Sequence, residues 1–364
     1  MLDPHEQLCS QQQAEKNIRA VFPEVRQYLA GVLDTYSPHH ESLHSALDVL
    51  LTQGRPTPLE LSLPLLVHAA ISGEARPAVP VAAVHALWWR AANVFDDFVD
   101  GDEPPLHGTA PGVAMVAALE GGYGLPLRAL QAAPLPGPLR QRLMQDYLDG
   151  WTCAIDGQIA DVRNHPQEVS TEEVLEVYRN KSASIYEMAC TMAARLAHGG
   201  QASSPPRPSD SLDPGRLAAP ATHTGMSDVH AHQSVTAWGE FGHLLGLLAQ
   251  FRNDHDDLLD GDREDLRNGT ATYLLVHLLN TAPTARERAL ALLPQAAGSD
   301  DKRQELAHMM LTADVVGPYN QFLTSLNSRA HALLDTLAPA PPFTDCLRAR
   351  VEAETSLLTP TCPA

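Results

Sequence analysis

The sequence predicts an all-α fold. Apolar residues recur at helical spacing over most of the 364 residues, whereas runs of alternating β-branched residues, which indicate strands, are almost absent. Prolines stand between the apolar segments, for example at positions 56, 58, 104 and 105, because a helix interior tolerates them poorly. We therefore expect one helical domain that comprises residues 1–364.

The predicted helices follow from this periodicity in chain order. One start is capped: the Ser170 hydroxyl can accept from amides of the first helical turn, and Glu173 can reach back. Residues 199–230 interrupt the pattern, since a segment rich in Pro, Ser, Gly and Ala cannot bury enough apolar area to offset its ordering entropy. We expect a mobile loop insertion there. The helices cover residues 12–34, 41–53, 58–73, 79–101, 110–132, 137–164, 171–198, 231–260, 270–281, 284–294, 301–337 and 343–357.

Composition and charge exclude several classes of protein. The chain has 44 acidic and 25 basic side chains, a net charge of −19, so its field would repel the phosphate backbone of a nucleic acid. The longest apolar tract, Leu59–Gly73, is interrupted by Glu60, Pro64 and His68 and is shorter than the ~20 residues of a membrane helix. The N-terminal residues have no secretory pattern. We expect a cytoplasmic enzyme without nucleic-acid partners or a membrane span.

An acidic motif ends the predicted helix 79–101. Positions i and i+4 of a helix share a face, and i+1 is a third of a turn away, so Asp96, Asp97 and Asp100 present three carboxylates together. Mg²⁺ would relieve their repulsion, because it prefers oxygen ligands. The alternative is a solvated acidic helix end, which aromatic neighbours of the acids disfavour. These neighbours are Trp88, Trp89, Phe95 and Phe98.

A second acidic motif repeats the spacing. Asn253, Asp254 and Asp257 occupy i, i+1 and i+4 after an apolar helix, in the segment that begins at Gln250. Taken alone, this cluster is equally consistent with a solvated helix end. Two such clusters facing each other across a bundle would hold several Mg²⁺ ions and thereby a diphosphate group.

Two further segments lie between the acid motifs, Gly157-Gln158-Ile159-Ala160-Asp161 and Tyr178-Arg179-Asn180-Lys181-Ser182. The ordered set DDxxD, GQxxD, YxxKS and NDxxD resembles the trans-isoprenyl diphosphate synthases and their relatives, the class I terpene synthases. The motifs span residues 96–257. This resemblance implies a single-domain helical bundle around a central apolar cavity, a prenyl diphosphate substrate, three Mg²⁺ ions and a homodimer.

The resemblance also implies roles for individual residues. Asp96 and Asp100 would ligate two Mg²⁺ ions, and the second motif would ligate the third. Lys181 would contact the diphosphate, while Gln158 and Asp161 would lie near the reacting carbon. The expected catalytic residues are Asp96, Asp97, Asp100, Gln158 and Lys181. The expected substrate-binding residues are Trp88, Ala91, Ala92, Phe95, Tyr147, Trp151, Gln158, Asp161, Arg179, Lys181, Gln250 and Arg252.

Small residues before the first motif predict the depth of the cavity. In the resembled family, the residues four and five before the first aspartate limit the prenyl chain, and here they are Ala92 and Ala91. Trp88 would form the floor, so we expect farnesyl, geranylgeranyl or copalyl diphosphate. Tyr147 and Trp151 share a helical stripe with Gln158 and either line this cavity or belong to the ordinary core.

The acceptor site of the elongating synthases is altered in this sequence. These enzymes hold isopentenyl diphosphate with an N-terminal Gly-Lys-x-x-Arg segment and an Arg pair after the first DDxxD. Here the corresponding stretches supply Arg55 alone and the acids Asp102 and Glu103, and a poorly paired buried charge is costly. We therefore expect a class I terpene synthase, a lyase in which the prenyl cation closes on its own double bonds.

Three alternatives remain open at this point. The first is an elongating prenyl diphosphate synthase, in which Arg55 with Arg128 or Arg140 rebuilds the acceptor site. The second is prenyl transfer to another acceptor, as in relatives that modify a peptide pheromone and share a Gln-x-x-Asn-Asp-x-x-Asp segment. The third is a non-catalytic subunit of a synthase.

Overall fold

The computed structural model describes residues 4–36, 39–53, 58–100, 106, 108–199, 224–281, 283–337 and 341–360, and every regular element in these ranges is helical. The all-α prediction is therefore confirmed. The helices are Pro4–Arg19 (α1), Phe22–Leu33 (α2), Glu41–Gln53 (α3), Pro58–Ser72 (α4), Val79–Asp100 (α5), Pro111–Leu119 (α6), Leu125–Ala132 (α7), Gly137–Arg163 (α8), Thr171–Tyr178 (α9), Ser184–Ala197 (α10), Thr224–Leu259 (α11), Glu264–Asn268 (α12), Tyr273–Thr281 (α13), Pro283–Ala296 (α14), Asp300–Met310 (α15), Ala313–Leu337 (α16) and Phe343–Glu354 (α17).

Helix α10 forms the centre of the bundle and packs against α4, α8 and α11. Its side chains are almost all buried, including Ile185, Met188 and Met192. Gly246 lets α11 approach closely, because a Cβ there would lie 2.7 Å from the Cα of Ala183. Helices α5 and α11, which contain the two acid motifs, both pack against α10.

Most predicted helix boundaries agree with the structure, and four long predicted helices are divided. Residues 110–132 and 171–198 are each divided by a π-helical turn, Glu120–Gly124 and Arg179–Ala183. Residues 12–34 form the end of α1 and all of α2, since Pro23 in the first turn of α2 has no N–H with which to continue the preceding helix. Residues 301–337 form α15 and α16, separated at Leu311. The capping box is confirmed, with the Ser170 amide donating to Glu173 Oε2 over 2.7 Å.

The predicted insertion at residues 199–230 is shorter than expected. Residues 224–230 already belong to α11, which begins seven residues before the predicted helix at 231. Residues 200–223 lie outside the described part of the chain, as do Arg55, Asp102 and Glu103. Within the described ranges, none of the helices combines the length and apolar character that crossing a membrane requires.

Candidate active site

Two adjoining cavities lie between α5, α8, α11 and the segment around Lys181. The acid cavity, of about 720 Å³, is lined by both acid motifs, Asp161, Lys181 and the segment 264–272. The apolar cavity, of about 950 Å³, is lined mainly by α5, α8 and α11. The cavities share Asp96, Lys181, Gln250, Asn253 and Asp256. An extended ligand with a polar head and an apolar tail therefore fits the pair.

The first acid motif lies at the C-terminal end of α5. Asp96 and Asp97 both line the acid cavity, as predicted. Asp96 Oδ1 accepts from Lys181 Nζ over 3.0 Å and from Gln158 Nε2 over 3.2 Å. Asp100 is the last residue of α5, and the prediction for its side chain lies outside what the structure describes.

Lys181 is held by two carboxylates inside the cavity. Its Nζ donates to Asp161 Oδ2 over 2.8 Å as well as to Asp96. Burial lowers the pKa of Lys181, but the carboxylates of Asp161 and Asp96 outweigh burial and raise it overall. The lysine is therefore a permanent cation. When a phosphorylated ligand binds, the ammonium of Lys181 can donate hydrogen bonds to a phosphate oxygen instead of to the carboxylates.

Local backbone geometry places Lys181 there. Residues Arg179–Ala183 form a π-helical turn between α9 and α10, a distortion that is frequent at functional sites. Helix α8 packs directly on this turn at Gly157, where any Cβ would overlap the backbone of Lys181. The glycine of the GQxxD motif thus permits the contact that brings Gln158, Asp161 and Lys181 together.

The second acid motif is embedded in hydrogen bonds from neutral groups. Asp254 Oδ1 accepts from Gln250 Nε2 over 2.8 Å, and Oδ2 accepts from the Tyr178 hydroxyl. The Tyr178 hydroxyl in turn accepts from the amide of Tyr273 over 2.9 Å, and the Ser182 hydroxyl donates to Gln250. Burial raises the pKa of Asp254 to about 6 despite these donors. Asp254 is thus held in one orientation, and no described Lys, Arg or His forms an ion pair with it.

The remaining acids of this region differ from the predicted ligand set. Asp257 lines the cavity, but its two oxygens accept from the amides of Glu264 and Asp265 over 2.8 and 3.2 Å. It therefore caps the start of α12 as well as facing the site. Asp265 was not predicted, yet it lines the acid cavity, and burial, followed by the charges of Asp254 and Asp257, raises its pKa to about 8.

The donor set fits Mg²⁺ bound together with a phosphorylated ligand. In the described part of the chain, groups of three or more His, Cys, Asp or Glu side chains do not converge on one point. The acids instead surround the cavity, which suits a cation that takes some of its oxygen ligands from phosphate and water. Burial first, and then neighbouring carboxylates, raise the pKa values of Asp254 and Asp265, and a divalent cation beside these acids would favour their ionised forms.

The apolar cavity has aromatic walls. Several predicted residues line it, together with Trp89 and Tyr186, which we did not predict as substrate contacts. The aromatic lining residues are Trp88, Trp89, Phe95, Trp151 and Tyr186. Trp88 and Trp89 pack edge to face with ring centroids 5.0 Å apart. Such π faces suit a cation that must survive in a dry pocket.

Three predictions for this cavity are corrected by the structure. Tyr147 is fully buried and donates its hydroxyl to the carbonyl of Gly122, so it is a core aromatic rather than a cavity residue. Ala91 is also buried in the core, beside Gly122, while Ala92 lines the cavity. Phe98 is 48% exposed and does not shield the acids.

Of the two arginines predicted to bind the substrate, one lines a cavity and the other does not. Arg179 pairs with Glu172 and Glu176 on α9, at 2.7 and 3.1 Å, and lines neither cavity. Arg252 lines the apolar cavity, and its role as a substrate contact stays a prediction.

The two arginines proposed to rebuild the acceptor site are engaged elsewhere. Arg128 lies over the ring of Tyr36, and Arg140 donates to the carbonyls of Gln131 and Ala133. Neither lines the acid cavity or the apolar cavity, so that way of rebuilding the acceptor site is not supported.

Comparisons with curated proteins point to prenyl-transferring relatives. No family model matches the chain. The chain is 22% identical to the tryptophan prenyltransferase ComQ of Bacillus spizizenii over 205 residues, which cover 56% of this chain and 59% of that protein. The chain thus spans less than two thirds of ComQ. It is 24% identical to the short chain isoprenyl diphosphate synthase of Methanothermobacter thermautotrophicus over 278 residues, or 72% of this chain and 74% of that protein.

Solved structures share the fold over nearly the whole chain. The geranylgeranyl pyrophosphate synthetase of Pyrococcus horikoshii superposes with a TM-score of 0.72 at 15% identity, covering 95% of this chain and 98% of that one. A polyprenyl synthetase of Streptomyces coelicolor gives 0.69 at 19% identity, with 93% and 98% covered. The geranylgeranyl pyrophosphate synthase of Corynebacterium glutamicum, complexed with isoprenyl diphosphate and magnesium, gives 0.67 at 17%, with 92% and 98% covered. The fold that the resemblance implied is confirmed: the chain shares the all-α fold of these prenyl diphosphate synthase structures.

Proposed function

We propose that the protein is a Mg²⁺-dependent prenyltransferase that ionises an allylic prenyl diphosphate and transfers the prenyl group to an acceptor. One observation carries this proposal. Two acid motifs and Lys181 surround one cavity, and this cavity opens directly onto an aromatic, apolar one. The named curated relatives, a tryptophan prenyltransferase and an isoprenyl diphosphate synthase, support transfer over cyclisation.

The residues would divide the work as follows. Asp96, Asp97, Asn253 and Asp254 would hold the metal, with Asp100 as a further predicted ligand. Bound Mg²⁺, which we expect as three ions, supplies charge neutralisation for the departing diphosphate. Lys181 donates to the same leaving group, so the electron pair of the allylic C–O bond can leave with the diphosphate.

The apolar cavity would stabilise the allylic cation that remains after the diphosphate leaves. The faces of Trp88, Trp89 and Trp151 stabilise positive charge without offering a nucleophile, and the apolar walls exclude water. The acceptor then forms the new bond to the allylic carbon and gives up a proton, which balances the charge. Ala92 and Trp88 set the room for a chain of fifteen to twenty carbons.

The terpene synthase reading remains a second candidate for this site. It is favoured by the aromatic lining of the apolar cavity and by the sequence after Asp100, which has no arginine. In that case the cation would close on its own double bonds, and no acceptor would be needed. Homodimer formation and cytoplasmic location stay predictions.

Product analysis distinguishes the candidates. The protein is incubated with Mg²⁺ and farnesyl, geranylgeranyl or copalyl diphosphate, each with and without isopentenyl diphosphate or a tryptophan-containing peptide, and the extract is analysed by mass spectrometry. A prenylated acceptor that forms only when the acceptor is present supports the transferase. A hydrocarbon or alcohol formed equally without an acceptor supports the cyclase, and absence of diphosphate release from every substrate contradicts both.

A further inference from the structure

Arginines gather around the apolar cavity in a way that the reaction on the allylic diphosphate does not explain. Arg19 at the end of α1, Arg252 on α11 and Arg350 on α17 all line it. Among the described residues that line the acid cavity, by contrast, the basic group is Lys181. The chain carries a net charge of −19, yet the charged residues that line this cavity nearly balance, with Arg19, Arg252, Arg350 and Lys181 beside Asp96, Asp256 and Glu354.

Arg252 is fixed in place against the C-terminal end of α17. Its NH1 donates to the carbonyl of Ala353 over 2.7 Å, and its Nε donates to Asp256 Oδ2 over 2.7 Å. Ala353 lies one turn after Arg350 on the same helix. The contact therefore ties α11 to α17 and keeps the two arginines on the same side of the cavity.

Among the described residues, Arg350 has no hydrogen-bonding partner. It is half-buried, and it forms neither a hydrogen bond nor an ion pair with any residue in the described ranges. Its charge acts on Glu354 one turn later, where Arg350 and Arg252 oppose the rise in pKa that burial causes. A half-buried guanidinium with five unused N–H donors beside a cavity is suited to a planar, two-oxygen anion.

We propose that Arg350 and Arg252, with Arg19 at the rim, bind an anionic group, phosphate or carboxylate, of the acceptor substrate. This inference rests on the proposed prenyl transfer and specifies its second substrate. The apolar cavity meets the acid cavity at Asp96 and Asn253. An acceptor anchored at Arg350 would therefore extend its nucleophilic carbon toward the place where the allylic cation forms.

The competing interpretation is that the arginines only neutralise Asp256 and Glu354. It accounts for Arg252, which already pairs with Asp256 at 2.7 Å. It accounts poorly for Arg350, whose donors Glu354 does not engage in a hydrogen bond in the described structure. Arg350 is therefore the residue that decides between the two.

Binding without metal provides the test. Isopentenyl diphosphate is titrated into the protein in EDTA by calorimetry, so that the acid cavity cannot hold the probe through Mg²⁺. N-acetyltryptophan serves as the carboxylate probe, and isopentenol and N-acetyltryptophanamide are the uncharged counterparts. Arg350→Gln should weaken binding of the anionic probe by about tenfold or more, as expected for loss of a charge-assisted pair.

Arg348→Gln is the matched control. It makes the same charge change on the same helix, but Arg348 pairs with Asp335 and does not line the apolar cavity. We expect its affinity to stay within about twofold of the wild-type value, and Arg350→Lys to be intermediate because the ammonium keeps charge without the fork. Melting temperatures of all variants report whether they fold.

Each result has a definite meaning. Equal affinity of the Arg350→Gln and Arg348→Gln variants, equal binding of charged and uncharged probes, or no binding of either anion would overturn the inference. Which anion binds identifies a phosphate-bearing or a carboxylate-bearing acceptor. Diphosphate release from farnesyl diphosphate with Mg²⁺ is measured separately, so failure of the proposed function is seen independently of failure of the arginine site.

Discussion

Asp96 and Asp254 belong to acid motifs of the same spacing, on helices that line the same cavity, but their surroundings differ. The Asp96 side chain is 45% exposed and pairs with the ammonium of Lys181. Asp254 is half-buried beside Gln250 and Tyr178, which offer hydrogen bonds without charge. Asp96 is thus paired with a cation of the protein, whereas Asp254 forms no ion pair with any described residue, and we expect a bound cation to neutralise it. Two motifs that read alike in sequence are therefore expected to respond differently to metal, pH and mutation.

Removing either first aspartate should have the largest effect. Asp96→Ala and Asp254→Ala should each lower diphosphate release by about 1000-fold, equivalent to about 4 kcal/mol of barrier, because each removes a ligand of the metal that neutralises the leaving group. The rate is measured as pyrophosphate released from farnesyl diphosphate. Asp149→Ala, an exposed aspartate on α8 that bonds Gln145, is the control. Retained turnover in either site variant would mean that the metal assignment is wrong.

Replacing Lys181 tests whether the first motif relies on the protein's own cation. Lys181→Met should lower turnover by about 100-fold, the usual loss for one donor to a developing anion. It should also destabilise the metal-free protein, since Asp96 and Asp161 would lose their shared partner. The melting temperature with and without Mg²⁺ measures this. Lys302→Met removes a lysine that pairs with Glu305 outside both cavities and should leave turnover unchanged.

The second motif should make stability depend on pH. Burial raises the pKa of Asp254 to about 6 and that of Asp265 to about 8 from an ordinary 3.8. Over that window the folded protein keeps protons that the unfolded chain has lost, so the free energy of unfolding falls as pH rises through these values. We expect a loss on the order of 1 kcal/mol for each carboxyl. Urea denaturation in EDTA measures it.

One variant and one added ligand check the origin of that slope. Asp265→Asn should flatten the pH dependence, because the amide does not ionise. Excess Mg²⁺ should raise stability most at the alkaline end, where both carboxyls are charged and bind the cation. A metal-free protein whose stability is constant from pH 5 to pH 8 would show that Asp254 and Asp265 ionise normally.

The last comparison concerns the helix of the first motif, on which two adjacent small residues have different surroundings, Ala92 at the apolar cavity and Ala91 in the core. Ala92→Leu should favour farnesyl over geranylgeranyl diphosphate by about tenfold in kcat/KM, because the added methyl groups occupy the cavity. Ala91→Leu should leave this preference unchanged and lower stability by about 1–3 kcal/mol, since the core around Ala91 has no free space. Competition between the two substrates measures the preference. An equal shift in both variants would contradict the assigned lining.

Helical periodicity predicted most helices of the fold. It also predicted which side chains of one helix lie on the same face. Asp96 and Asp254 lie at the ends of long, strongly periodic helices, and both line the acid cavity as predicted. Asp265 was not predicted because it follows a turn in which Arg263 adopts a left-handed conformation, with φ of 50°. Helical spacing cannot relate residues on the two sides of such a turn. For the same reason the capping role of Asp257 toward α12 could not be read from the sequence.

The sequence also could not predict which residues line the apolar cavity and which are buried in the core. Ala91 and Ala92 are adjacent and chemically identical, and Tyr147 and Trp151 are one turn apart on α8. Which member of each pair faces the cavity depends on the rotation of α5 and α8 about their axes. Packing against other elements fixes that rotation, for instance the contact of Ala91 with Gly122, and such long-range contacts are not encoded in local spacing.

The π-helical turn at Arg179–Ala183 also constrains how the chain can change. Each residue of an α-helix advances the side-chain direction by about 100°, so deleting one residue here would restore regular hydrogen bonding while turning the lysine away from both of its carboxylates. Such a deletion would improve local backbone regularity and remove the ammonium from the site. Gains in helix stability and retention of turnover therefore oppose each other at this turn, and thermostabilised variants selected for activity should keep its length.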